Sequence, residues 1–187
     1  FAWRAGSVMH LRSEEGKNVS VAFGMLSMIR SLLEEHQPKM VCVCWDSTGS
    51  DIKKEIFPEY KKNRTKSSLP EEFVKEIRQQ MNEMYEILPY FGIRQLKRQG
   101  VEADDLIGVL CRGLENVLVV SSDKDMYQAV SLGANLFHTS RNTIVNNSNF
   151  KEITGVDSRD YVYYRSITGD SSDGIPGVGG FGPVTAK

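Results

Sequence analysis

Cysteine, histidine and long apolar runs are the scarce features of this 187-residue sequence, and each scarcity excludes something. There are three cysteines, an odd count without C-x-x-C spacing. Cys42 and Cys44 lie two apart on one face of the same candidate strand, too poorly aimed to bridge each other. Buried thiols in a reducing compartment are the expectation. His10, His36 and His138 are scattered, which suggests neither a zinc site nor a nucleophile–base pair. No apolar stretch approaches the ~18 residues of a membrane span. The longest, residues 40–45, has the length of a buried strand. Net charge is only −1, from 23 Lys+Arg against 24 Asp+Glu, so partners must be sought segment by segment. The sequence opens on Phe1-Ala-Trp-Arg-Ala without the basic-then-apolar grading of a signal peptide. It reads as a fragment whose own N-terminus is missing.

What is present is ordinary for a globular chain: 40% hydrophobic and 25% charged residues. At roughly 150 residues per domain this is one domain with a small appendage. Residues 19–35 carry Val21, Met25, Met28, Leu32 and Leu33 at helical spacing. In residues 68–88, Ser68-x-x-Glu71 reads as a capping box with Pro70 in the first turn. Phe73, Ile77, Met81, Met84, Tyr85 and Leu88 form one stripe there, and Gly92 is the stop. Strands are expected at 40–45, 93–96, 117–120 and 134–138, and further helices at 102–114, 125–130 and 157–168. Strands alternating with helices predict an α/β fold with a largely parallel sheet flanked by helices.

The acids gather in four places. Asp46 follows the first strand, and Asp123 and Asp125 follow the third. Glu102, Asp104 and Asp105 open a helix, and Asp170 and Asp173 sit in a loop. Each cluster alone is weak: with 24 acids in the chain, two acids (Asp or Glu) one residue apart arise by chance roughly three times. Acids also favour the first turn of a helix for its dipole, and Asp forms turns. Together they say more, because ligands of a parallel sheet bind beyond the C-terminal ends of its strands, where the first three clusters converge. Two unit charges 4 Å apart repel by about 4 kcal/mol at an effective dielectric of 20. Several such pairs threaten a domain stable by about 5–15 kcal/mol. Shared protons or bound cations must neutralise them, and an all-oxygen set suits Mg²⁺ or Mn²⁺ rather than zinc. Two such ions point to phosphoryl-transfer chemistry.

A basic counterpart lies at residues 53–66, with six Lys/Arg against Glu55 and Glu59. Within it Tyr60, an aromatic able to stack on a base, adjoins Lys61, Lys62 and Arg64. Near the end, residues 177–182 match G-x-G-x-x-G, but without the preceding strand that a dinucleotide site requires. A hairpin offering backbone N–H groups to duplex phosphates is the better reading.

Six motifs in order name a family. They are W-D46-S, F-P-E-Y60-K61-K62-N-R64, V-E102-A-D104-D105, S-S-D123-K-D125, G-D170-S-S-D173 and I-P-G177-V-G179-G180-F-G182. Over residues 40–187 the chain closely resembles the phage and bacterial 5′-nucleases: flap endonucleases, 5′→3′ exonucleases and the 5′-nuclease domain of DNA polymerase I. The resemblance implies a PIN-like domain over residues 1–168 that lacks its first strand, with an arch or clamp at about 47–72. A helix–hairpin–helix DNA-binding region would begin at 169–187. It implies a Mg²⁺-dependent phosphodiesterase using two ions, with Mn²⁺ as a substitute. Asp46, Glu102 and Asp104 would hold the first metal with Asp105 beside them; Asp123, Asp125 and Asp170 would hold the second with Asp173 nearby. Lys61 would contact the scissile phosphate, Arg64 would help bind it, and Tyr60 would stack on a nucleobase. Lys62 joins them on the DNA. Gly177, Gly179, Gly180, Gly182, Thr185 and Lys187 would grip duplex DNA, with K⁺ at the hairpin.

Three departures stand out. The family's first strand ends in Asp-Gly, whose Asp is a first-site ligand and is absent here. The chain stops inside the second hairpin helix. Ile52-Lys53 replaces the usual Phe-Arg, and Gly174 the usual Asn. The expected function is a structure-selective 5′ nuclease cutting DNA near a free 5′ end, with a 5′ flap or fork as partner, in a monomer of the bacterial cytoplasm or the phage-infected cell. The alternatives are a junction-binding module without catalysis, or a PIN-domain ribonuclease.

Overall fold

A computed structural model describes residues 2–47, 51–62 and 69–187. Its elements in chain order are α1 (Ala2–Val8), α2 (Ser20–His36), β1 (Cys42–Trp45), α3 (Asp51–Ile56), α4 (Glu71–Ile87), β2 (Arg94–Lys97), α5 (Ala103–Gly113), β3 (Leu118–Ser121), α6 (Gln128–Ser131), β4 (Asn135–His138), β5 (Thr143–Val145), α7 (Phe150–Thr154) and α8 (Tyr161–Thr168). The α/β class is as expected. β1 pairs with β2, and a second sheet runs in the order β3-β4-β5. In it β3 and β4 are parallel, with Leu118 opposite Asn135, and β4 and β5 antiparallel. The three-residue β5 has no expectation behind it, since so short a run shows no period of two.

The chain divides into two compact units, one joining Phe1–Val43 to Lys66–Leu96 and the other Cys44–Thr65 to Lys97–Lys187. In the first unit α1, α2 and α4 pack together. Ile77, Met84 and Leu88 are buried as their spacing predicts, but Tyr85 of the same stripe is exposed and Gln80 is buried instead. The reason is polar. Gln80 Oε1 accepts the Val21 N–H at 3.0 Å, satisfying an amide that the first turn of α2 leaves without an intrahelical partner. Pro70 sits at the N-cap of α4 rather than inside its first turn. Ser68 of the expected capping box lies outside the described residues, as do 48–50 and 63–68 of the expected arch.

The second unit holds a core of Val119, Met126, Val130, Leu136, Val145 and Phe150. Tyr161 meets Tyr127 and Phe150 edge-on at centroid distances of 5.8 and 5.4 Å, and its hydroxyl donates to the Lys124 carbonyl at 3.0 Å. That bond ties α8 to the 3₁₀ turn Lys124–Tyr127, one residue beyond Asp123.

After α8, Asp170 and Ile175 exchange two backbone hydrogen bonds of 2.8 Å, and the Val178 N–H donates to the Ile167 carbonyl at 2.7 Å. Two glycines permit this close return. Gly169 has φ +71°, and a Cβ on Gly177 would stand 2.6 Å from the Ile167 carbonyl oxygen. Gly177→Ala is therefore expected to destabilise the protein by about 1–3 kcal/mol, because the atoms in its way are backbone. A melt within a degree of wild type would remove this account. Residues 169–187 contain no helix; the start of the helix–hairpin–helix expected there is a series of turns, closed by Ala186 N–H on the Gly182 carbonyl at 3.0 Å.

Candidate active site

All the described side chains of the expected site belong to the second unit. Asp46 leaves the end of β1, and its Oδ1 accepts the Ala103 N–H at 2.9 Å, so it caps α5. Glu102 stands at the N-cap position of that helix with extended backbone, and Asp104 and Asp105 fill its first turn. The helix N-terminus lowers the cost of gathering these acids. Asp123 follows β3 and accepts the Asp125 N–H at 2.9 Å, which closes the 3₁₀ turn and aims Asp125. Asp170 and Asp173 are both buried at 7% exposure.

The four clusters lie close enough to act on one another's charge. Burial pushes the Asp104 carboxyl up to about 6, and the charges of Asp123, Asp46 and Glu102 push in the same direction against Lys53. Asp125 is likewise raised by burial and by Asp123 and Asp170, against Arg165 and Lys124. Tyr60 joins the fourth cluster to the second: its phenol is raised by burial, by its bond to Glu102 and by the charges of Glu102 and Asp173.

Cations of the chain itself stand among these acids. Lys53 Nζ lies 2.6 Å from Glu102 Oε2 and 2.9 Å from Asp105 Oδ2, and Lys61 Nζ pairs with Glu102 Oε1. Burial alone would raise the Glu102 carboxyl, but the bonds from Lys53, Lys61 and Tyr60 outweigh it and hold it at about 2. Arg165 Nη2 pairs with Asp170 Oδ2 and lies 3.1 Å from Asp125 Oδ1, and Lys124 Nζ is 3.4 Å from Asp170. Burial raises Asp170 too, but Ser172, Lys124 and Arg165 bring it down to about 2. Lys53 was visible as a departure within the basic segment. Arg165 carried only one signal: a lone cation in the last turn of a helix, five residues ahead of Asp170.

Other expected residues also find definite places. Tyr60 is not an open stacking face. It is buried at 8% exposure, its hydroxyl donates to Glu102 Oε2 at 3.0 Å, and Lys61 Nζ lies 4.8 Å from its ring centroid. Lys61 itself has φ +58°, a conformation uncommon for a residue with a Cβ, and its N–H donates to the Asp173 carbonyl at 2.9 Å. Lys62 pairs with Glu59 at 2.6 Å on the surface. Arg64 lies outside the described residues. Gly177, Gly179 and Gly180 are exposed, Thr185 Oγ1 accepts the Gly182 N–H at 2.8 Å, and the Lys187 side chain lies against Gly155.

Among the described residues no three acidic, histidine or cysteine side chains already form a cage for a cation. The donor set nonetheless fits hard divalent ions: it is all oxygen, and around Asp104 negative charge outweighs the positive charge at hand. Metal would have to compete with the protein's own lysines and arginine. Among the described residues, no helix is long and apolar enough to cross a membrane.

An α/β chain with its acids beyond two strands and at the head of a helix has relatives of known structure. The fold matches that of phage T5 5′-exonuclease with a TM-score of 0.78 at 23% identity, over 88% of this chain and 64% of that one. The bacteriophage T5 flap endonuclease, solved as a pseudo-enzyme-product complex with DNA and metal ions, matches with a TM-score of 0.77 at 22% identity, over the same shares. Those likenesses give the fold class. Residues 1–155 match the family described as 5′-3′ exonuclease, N-terminal resolvase-like domain, and the chain belongs to that family. A 5′-3′ exonuclease of Buchnera aphidicola subsp. Acyrthosiphon pisum is 35% identical over 95% of this chain and 62% of its own length. DNA polymerase I of Mycobacterium bovis is 32% identical over 95% of this chain and 20% of its own length. The chain thus spans about three fifths of the curated exonucleases it matches.

Proposed function

We propose that this chain is the catalytic part of a structure-selective, divalent-metal-dependent 5′ nuclease that hydrolyses DNA near a free 5′ end. The observation that carries the proposal is the charge around Asp104. A half-buried carboxyl raised to about 6 by desolvation, and further by three neighbouring acids, is costly in a domain with no task for it, and it is relieved by a cation. Asp46, Glu102 and Asp104, with Asp105, would hold one Mg²⁺; Asp123, Asp125 and Asp170, with Asp173, would hold the other, and Mn²⁺ would serve in place of either. When bound, such ions supply a water nucleophile at neutral pH and charge stabilisation at the departing oxygen.

The remaining work belongs to side chains. Tyr60 orients Glu102 through its hydroxyl. Lys61, held by its backbone at Asp173, would turn from Glu102 to the scissile phosphate, with Arg64 and Lys62 binding the same strand. The exposed turns at residues 177–182, with Thr185 and Lys187, would meet duplex phosphates through backbone N–H groups, with K⁺ as an accessory ion.

The lysines on Glu102 favour a second reading, a junction-binding module without catalysis. A labelled 5′-flap DNA incubated with Mg²⁺ or with EDTA separates the two. The chain should be tested beside a version extended to the length of its exonuclease relatives. Cutting with Mg²⁺ and none with EDTA is expected. Junction binding without cutting by either protein would establish the second reading, and equal cutting of RNA flaps would turn the proposal toward a ribonuclease.

A further inference from the structure

Arg165 has no part in the roles described so far, yet its guanidinium occupies the middle of the second carboxylate group. Its position is imposed by the core. Tyr161, one turn earlier on α8, is packed edge-on against Tyr127 and Phe150 and bonded to the Lys124 carbonyl. That anchoring sets α8 beside the turn bearing Asp125. The Arg165 side chain is 22% exposed, and one nitrogen, Nη2, serves both Asp125 Oδ1 and Asp170 Oδ2. Structural arginine–carboxylate pairs commonly use two parallel N–H groups on one carboxylate. Here a single donor bridges two carboxylates from segments 45 residues apart, which is the geometry of a counter-ion between ligands.

We propose that Arg165 is a placeholder cation: it holds Asp125 and Asp170 together in the metal-free protein and is displaced when a divalent ion binds them. The inference rests on the metal reading given above. Because Asp170 also accepts from the Ser172 N–H at 2.9 Å and from its hydroxyl, its loop stays in place when the guanidinium leaves. The long, partly exposed Arg165 stem gives the guanidinium room to withdraw. Arg165 is thus a positioning residue: it sets the metal affinity of the site and prevents the two carboxylates from repelling each other before metal arrives.

The test is Mn²⁺ binding to this chain without DNA, followed by the electron paramagnetic resonance of free Mn²⁺. Arg165→Gln should bind Mn²⁺ roughly tenfold more tightly, as expected from removing one unit charge a few ångströms from a divalent ion in a partly hydrated site. Its metal-free form should melt lower than wild type, and Arg165→Lys should restore both values toward wild type. A folded Arg165→Gln variant with unchanged or weaker Mn²⁺ affinity would overturn the proposal, because a merely structural arginine gives that result. A wild-type chain that binds no Mn²⁺ would overturn this inference and the metal reading together. In the wild-type protein, Mg²⁺ should also release the guanidinium, read as faster solvent exchange of the Arg165 Nε–H signal in nuclear magnetic resonance. A signal unmoved at saturating Mg²⁺ would overturn the proposal without any variant.

Discussion

Asp104→Asn should yield a protein that is more stable without metal and inactive with it. In the folded chain the Asp104 carboxyl sits at about 6, against an ordinary value of 3.8, because it is half-buried and desolvated and faces three other acids. The folded state therefore holds a proton that the unfolded state has released between roughly pH 4 and 6, and stability falls as pH rises through that window. Above it the ionised carboxylate costs the fold about 3 kcal/mol. The amide removes the charge but needs hydrogen bonds of its own, so a net gain of about 1–2 kcal/mol is expected, or roughly 2–8 °C in Tm. The variant's stability should also be flatter between pH 4 and 6. Glu102 and Asp170, both held near 2, act in the opposite sense. They contribute stability above the unfolded carboxylate range and lose it as pH falls toward 2, so the two effects separate on the pH axis.

The second half of this prediction is functional. Mg²⁺ at 100 times its dissociation constant should stabilise the wild-type protein by about 2.7 kcal/mol, and Asp104→Asn should lose most of that response. Cleavage by the extended protein should fall by about 100-fold or more, since removing a ligand withdraws several kcal/mol of charge stabilisation. Melts at a series of pH values, with and without Mg²⁺, decide it. A variant that melts lower than wild type without metal, or that keeps the full Mg²⁺ response, would remove Asp104 from the metal centre.

Lys61→Ala is the other large effect. Its ammonium is held on Glu102 and over the Tyr60 ring, and its backbone is fixed in the left-handed region by the Asp173 carbonyl. On the function proposed above, a cation so placed beside the carboxylates would meet a phosphate whose charge grows during reaction. Removing one preorganised donor of this kind typically slows chemistry by about 10²–10³. Ground-state binding should change far less, because the contacts proposed for Lys62 and the glycine turns would persist. Single-turnover cleavage in Mg²⁺ and flap binding in EDTA give the two numbers. Equal losses in rate and affinity would make Lys61 an ordinary DNA contact. Glu102 keeps Lys53 and Tyr60 as partners in this variant, so the fold should survive the change.

The sequence determined the α/β class, most of the elements and the four acidic clusters, because those are local facts. A strand ends where its apolar run ends, and an acid one or two residues beyond it is placed there by the chain itself. Asp46, Asp123 and the Glu102 helix head all lie where that reasoning puts them. The tertiary structure alone decided what neutralises these acids. Lys53 and Glu102 are 49 residues apart, and Arg165 and Asp125 are 40 apart. No periodicity encodes such pairs, since they form only when separate segments are packed onto one core. The same cause explains Tyr60, which reads as an open stacking ring in a basic loop and is buried because its hydroxyl completes the bonds of Glu102. It also explains Gln80, a polar residue buried in a helix–helix contact for an amide that lies 59 positions earlier in the chain. Local pattern places the charges; only the fold determines which of them meet.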